Sequence, residues 1–383
     1  MVGNSIIKKC LAVGIILLFV GTCIIPATAQ DTEKPLPTSR GDWLYVGGNG
    51  PGNYTKIQDA INHASWGDTV FVYSGVYYEK ITIDRALCLL GESRDTTIIA
   101  NISDYGSLID LSRSNITISG FTLNLSGACI ISCFSGPSGY DYRDILISNN
   151  IFKTNISFCI WLIGCDFCTI TRNIFYVNSS YVICLSDCEN CVITDNIITA
   201  SEGCFGIGLH DGSYNRISNN IIDGGTPHGL GIELNSANFN TISNNTLFNH
   251  TWAIYIIDSE KLSIISNHIE NPLPSQWRNL GSMGIWIIDS YDILVQYNFI
   301  SGYKFGIHLD DARQMIISKN TFMKNIVHAR FYNTGFFSNT WDQNYWGKTR
   351  ILPKPIFGIK YIYVLYPGFV EFDWHPAQAP YDI

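Results

Sequence analysis

A short pattern centred on asparagine returns along most of this 383-residue chain and narrows what it can fold into. It appears as Ile147-Ser148-Asn149-Asn150-Ile151-Phe152, then Ile170–Phe175, Ile193–Ile198, Ile217–Ile222, Ile242–Leu247, Ile264–Ile269, Val295–Ile300 and Ile317–Phe322. The marker asparagines are residues 150, 173, 196, 220, 245, 267, 298 and 320, so successive steps are 23, 23, 24, 25, 22, 31 and 22. A second pattern, Ile-x-(Leu/Ile), keeps step with the first, from Ile160-Trp161-Leu162 to Ile307-His308-Leu309. Each repeat thus holds short β-branched runs of period two, punctuated by Asn, Gly, Ser and Asp. No run is long enough for a helical crossover, and the 3.6-residue spacing of helical repeats is absent.

A coil of this length with two or three strands predicts an all-β fold: a right-handed, single-stranded parallel β-helix (a β-solenoid) with an N-terminal cap helix. Coils would pair at about 4.8 Å, so equivalent residues stack in columns. A stacked amide can bond its neighbour and also satisfy backbone groups freed at a corner. Asn150, Asn173, Asn196, Asn220, Asn245, Asn298 and Asn320 should form one ladder, with Asn267 off line because its coil precedes a long insertion. Two insertions, at 133–144 and 271–282, should project as loops. Solenoid ends need covers. At one end, Tyr54–Ser65 has helical spacing in Ile57, Ala60, Ile61 and Ala64. At the other, Asn339–Gly347 and the Pro-rich remainder break the repeat. The predicted β-helix domain is therefore 42–383: cap and first coils over 42–115, repeats over 116–338, and a C-terminal cap over 339–383.

Composition bears mainly on location and partners. Lys8 and Lys9 precede the apolar run Cys10–Ile25 and the small-x-small site Ala27-Thr28-Ala29, which predicts a signal peptide over 1–29 and a polar linker over 30–41. The expected location is secreted or at the cell surface, with membrane contact only through an uncleaved N-terminal anchor. Charged residues make up 15% of the chain, the net charge is −8, and there is no basic stripe, which argues against nucleic acid. Oligomeric state leaves no mark in the sequence.

The segment Gly67-Asp68-Thr69-Val70 … Gly75-Val76-Tyr77 … Ile81-Thr82-Ile83 … Leu89-Leu90-Gly91, followed by the Asn-marked coils, resembles the NosD-type β-helix family. That family sits within the pectate-lyase-like superfamily of carbohydrate-binding and sugar-hydrolase (CASH) domains built from PbH1 repeats. The end, with Asn344-Tyr345-Trp346-Gly347 and Pro353-Lys354-Pro355-Ile356, is similar to that of exported archaeal members. The resemblance implies the fold from residue 42 onward and says little about activity. It also implies a NosD-like copper role, which 4 Met and 8 His without Met-x-x-Met or His-x-His clusters do not favour.

Cys165-x-x-Cys168 and Cys188-x-x-Cys191 have zinc-ribbon spacing. Both pairs are also separated by 23 residues, the step of the asparagines beside them, so two columns sampled twice explain them equally well. Buried thiols, disulfides and zinc are the alternatives, and the first is preferred; no metal site and no cofactor are expected.

The outward face of the Ile-x-Leu strand is the candidate site. One column runs Trp161, Cys184, Gly208, Glu233, Tyr255, Trp286, His308. Beside it lie Ile163, Ser186, His210, Asn235, Ile257, Ile288, Asp310. Aromatic rings stack on the C–H faces of sugars, and carboxylates and amides bind hydroxyls, so Trp161, Tyr255, Trp286, Asn235 and Asp310 are candidate ligand-binding residues for a polysaccharide or glycan. The alternative is a lyase, glycoside hydrolase or epimerase using Glu233, His210 and His308 as catalytic residues. A third reading is a structural surface protein in which Tyr255 and Trp286 merely pack under other segments. In the platform reading, Trp286 and Tyr255 are solvent-exposed.

Overall fold

The computed structural model describes residues 41–383 except 102–105, 126–128, 135–141, 156–157, 179–180, 202, 226–228, 273–280, 333–338, 360–367 and 383. The predicted signal peptide, nearly all of the linker, and most of both insertions lie outside the described residues. What is described is a right-handed parallel β-helix of about 12 turns with a single helix, as the repeat spacing predicts.

Each repeat coil contributes three strands. A long strand such as Trp252–Ile257 is followed by a second, such as Ser263–Ile265, and after the asparagine corner by a third, such as His268–Glu270. Long and second strands belong to one 26-stranded sheet, and the third strands form an 11-stranded sheet. The inward residues align coil on coil: Ile160, Ile183, Ile207, Ile232, Ile254, Ile285 and Ile307 stand in one column. All are essentially inaccessible to solvent. Burying one such side chain contributes about 1.5–3 kcal/mol, so stability grows with each added coil.

The asparagine ladder is continuous and longer than expected. Asn173 Oδ1 accepts from the backbone N–H of Asn150 at 3.0 Å and from its Nδ2 at 3.2 Å, while Asn150 Nδ2 also donates to the Ile118 carbonyl. The arrangement repeats through Asn196, Asn220, Asn245, Asn267, Asn298 and Asn320. Asn267 is in line, contrary to the sequence expectation, because the insertion leaves the coil after the third strand His268–Glu270, at a different corner. Asn344 adds a ninth member inside the segment read as a cap, and Asp373 ends the series. Asp373 Oδ2 accepts from the N–H and Nδ2 of Asn344 and from Trp346 Nε1. The residue before each of the nine asparagines has a left-handed backbone, with φ between 54° and 57°. That kink turns the chain, and the amide bonds the groups it frees.

The helix covers Ile57–His63, shorter than the predicted 54–65, and buries Ile57, Ala60 and Ile61. Tyr54 is drawn instead into a bridge with Val46. The Glu79 carboxylate, one coil on, accepts from the N–H groups of Ile57 and Gln58 and so caps the helix start. At the far end, strands Lys354–Ile359 and Gly368–Asp373 pair antiparallel and close the last coil.

The cysteine columns follow the same logic. Cys165 N–H donates to Cys188 Sγ and Cys168 N–H to Cys191 Sγ, both at 3.3 Å, while Cys191 N–H donates to Asn215 Oδ1. In the Cys168–Cys191 column, thiol sulfur stands where the next coils place an amide oxygen. The ten described cysteines are free. Hydrogen bonding with Cys133, together with burial, holds the Cys165 thiol well above the ordinary range, and Cys165 does the same to Cys168. Metal ligation and alkylation both need the thiolate. The buried thiols should therefore resist iodoacetamide until denaturant is added, with half-buried Cys88 reacting first. Stoichiometric zinc in the purified protein, or rapid native labelling of Cys168 and Cys191, would contradict this reading.

Candidate functional site

The long strands carry three outward columns. In the middle one, Glu233, Tyr255, Trp286 and His308 occupy consecutive coils, continuing to Arg330. To one side stand His210, Asn235, Ile257, Ile288 and Asp310. To the other stand Phe158, Tyr181, Phe205, Leu230, Trp252, Met283 and Phe305. Strict alternation hides this last column, because two adjacent residues at the start of each strand, such as Ala253 and Ile254, both turn inward. The recoverable signal is a large apolar residue two positions before each column isoleucine.

Two aromatic groups result. Phe158 stacks on Trp161 at 4.5 Å and lies near Tyr181, which stacks on the exposed Phe205 at 4.4 Å. Farther along, Trp252, Tyr255 and Trp286 converge, with Trp252–Trp286 at 4.8 Å and Tyr255–Trp286 at 5.1 Å. Tyr255 and Trp286 are half-buried rather than fully exposed, since Trp252 packs against both. Between the groups the middle column narrows to Cys184 and Gly208. A Cβ on Gly208 would stand 3.1 Å from His210 Nε2, so the glycine lets the imidazole lie across that position.

The polar atoms are unusual. Glu233 Oε2, Trp286 Nε1 and His308 Nδ1 are buried without a hydrogen-bond partner among the described residues. Each such group costs about 1–3 kcal/mol when left unmade. Burial raises the Glu233 carboxyl above its usual range, against the opposing pull of His210. Burial, aided by Arg330, lowers the His308 imidazole to about 4, so it is neutral at pH 7.

Of the candidate catalytic set, Glu233 and His210 occupy neighbouring coils. His308 lies three coils beyond Glu233, about 14 Å along the axis. Glycoside hydrolysis needs two carboxyls about 5–9.5 Å apart. The outward residues flanking Glu233 are Gly208, Tyr255, His210, Asn235 and Ile257, with no second carboxylate. Trp161 stands with the first aromatic group, and Asp310 beside His308.

The class of protein defined here is a parallel β-helix with one aromatic-lined strand face. A family model described as "Periplasmic copper-binding protein (NosD)" matches residues 61–274 and 229–358, and the chain belongs to this family. Among solved structures it is similar to the DFA-IIIase from Arthrobacter chlorophenolicus A6 without its lid, at TM-score 0.59 and 11% identity over 81% of this chain and 95% of that one. It is also similar to the A-module of the mannuronan C-5 epimerase AlgE6 from Azotobacter vinelandii, at 0.52 and 12% over 75% and 87%. PfbA, a surface adhesin of Streptococcus pneumoniae, matches at 0.52 and 14% over 84% and 95%. At these identities the likeness is one of fold. No curated protein sequence matches the chain.

The family description names copper, and the residues described do not fit it. No group of three or more His, Cys, Asp or Glu able to hold a metal occurs among them. The clustered thiols are held protonated and hydrogen-bonded within the core. No described helix is long and apolar enough to cross a membrane.

Proposed function

We propose that the protein is exported through residues 1–29, and that its β-helix domain over 42–383 binds carbohydrate on the long-strand face without turning it over. The observation that carries this reading is the line of buried, unpartnered polar atoms (Glu233 Oε2, Trp286 Nε1, His308 Nδ1) set among Trp252, Tyr255 and Phe305. Aromatic faces that accept C–H surfaces, beside polar groups needing partners, match the two-sided chemistry of a sugar ring. Three coil steps at about 4.8 Å span about 14 Å, enough for an oligosaccharide of two to three rings. Fold relatives whose names include a mannuronan epimerase and a surface adhesin lend support of a general kind. A glycan array combined with reducing-sugar and unsaturated-uronate assays tests the proposal. Binding without product is the expected result. Product formation would move the assignment to an enzyme centred on Glu233 and His210, and silence in all three would leave a structural surface protein.

A further inference from the structure

A second left-handed corner follows each long strand and borders the candidate face. It is occupied in successive coils by Gly164, Asp187, Asp211, Ser236, Asp258, Asp289 and Asp311, with φ between 45° and 62°. The column is in register. Asp187 N–H donates to the His210 carbonyl, Asp211 N–H to Asn235, Asp258 N–H to Ile288 and Asp289 N–H to Asp310. Among the described residues, five of its seven positions are aspartate and none is asparagine, although asparagine suits a left-handed backbone at least as well.

Two other left-handed columns act as internal controls. The nine positions preceding the asparagine ladder, from Asn149 to Gln343, contain one aspartate, Asp195, together with Arg172 and Lys319. The nine at the third corner, from Asn115 to Gln314, contain two, Asp144 and Asp292, together with Lys261. Backbone geometry therefore accounts for the turn but not for the charge, and the acidic bias belongs to the corner that follows the long strands, since the left-handed residues that precede them include Gly225, Asn249, Gly302 and Lys324.

Like charges one coil apart repel one another, so such a column is tolerated for what it attracts. Asp187, Asp211, Asp258 and Asp289 are exposed, and among the described residues only Asp311 of the five forms an ion pair, with Arg313 at 2.9 Å. The face adds Glu233 and Asp310 to this row. The cations near it are Arg330 at the far end, Lys304, whose ammonium lies over the Phe305 ring, and Arg313, which pairs with Asp311, while His308 is held neutral. Asp289 and Asp310 have raised carboxyls, through burial first and then through neighbouring carboxylates, Asp311 for Asp289 and Asp289 for Asp310.

We infer that the long-strand face selects a glycan bearing free amines over one bearing carboxylates. A polyuronate laid along the coils would run beside the aspartate row at every step, whereas an amino-sugar polymer would place a cation against it at a comparable spacing. The inference rests on the carbohydrate reading of this face and names the class of sugar.

The test uses the mature full-length chain and three oligomers of equal length: β-1,4-glucosamine, its N-acetylated counterpart, and a uronate oligomer. Titrations are run at about pH 5.5, where amines and exposed carboxylates are charged, in low and high salt with chelator present. The glucosamine oligomer should bind about tenfold more tightly than the neutral one at low salt, the gap should close at high salt, and the uronate should rank last. The triple variant Asp211→Asn, Asp258→Asn, Asp289→Asn keeps residues suited to the turn. It should erase the gap while leaving affinity for the neutral oligomer unchanged, whereas Asp195→Asn at a control corner should leave the gap intact. A uronate ranking first, equal affinity for the charged and neutral oligomers, or a gap that survives the triple variant each overturns the amine preference alone. Absence of binding by all three overturns the carbohydrate reading itself, and the preference with it.

Discussion

Replacing Asn220 by alanine should cost about 3–5 kcal/mol of stability, near the upper end for a single substitution. Its Oδ1 accepts from both the backbone N–H and the Nδ2 of Asn196, and its Nδ2 donates to the carbonyls of Ile193 and Ser218 and to Asn245 Oδ1. Truncation strands the Asn196 N–H and several acceptors in a site closed to water, at about 1–3 kcal/mol each before relaxation. Asn178, whose exposed amide bonds Asn155, makes a similar contact at the surface, and Asn178→Ala should cost well under 1 kcal/mol. Long repeat arrays need not unfold in one step, so exchange of the Asn196 amide is the sharper readout alongside thermal melts. Equal effects of the two substitutions would refute a structural role for the buried ladder.

Trp286→Ala should weaken glycan binding by about tenfold or more, since an aromatic contact is worth about 0.5–1.5 kcal/mol beyond area burial and 1.4 kcal/mol is one decade. Stability should also fall, by about 1–2 kcal/mol. That is less than the roughly 3–5 kcal/mol of a fully buried ring, because Trp286 is half-buried against Trp252 and Tyr255. Trp286→Phe separates the two effects. It keeps a ring in the cluster and removes the Nε1 donor that has no partner among the described residues, so the melt should recover while affinity stays depressed. A large loss of stability with unchanged affinity would assign the residue to packing.

The frame of the molecule was readable because its period is nearly constant and each column repeats one chemical demand. The asparagine ladder and the paired cysteines were both visible as equal steps, and the cap helix as a change of period. Asn267 was misplaced because a 31-residue step does not reveal at which corner the extra residues leave. Trp252 and the Phe158–Tyr181–Phe205 stack escaped notice because alternation fails where two neighbours both face the core. The left-handed corners were only partly legible. Aspartate and asparagine advertise that conformation, but Arg172, Tyr297 and Lys319 adopt it too, held there by the ladder beside them. The burial of Glu233 and His308 depends on neighbours from other coils and has no local signature.

The ladder's ending gives the solenoid a direction. In every asparagine the oxygen points toward the N-terminal coil and the nitrogen toward the C-terminal one, so nine amides lie head to tail like compass needles along the axis. Their dipoles add as those of a peptide helix do, leaving the positive end at Asn344. There the chain places Asp373, whose carboxylate can accept but offers no hydrogen to pass on. Such a column can be lengthened by inserting whole coils between its ends, because each new amide enters already pointing the right way. It cannot be continued past Asp373, so the column carries a full stop at one end, and the complete turn is the unit by which such a ladder can grow or shrink.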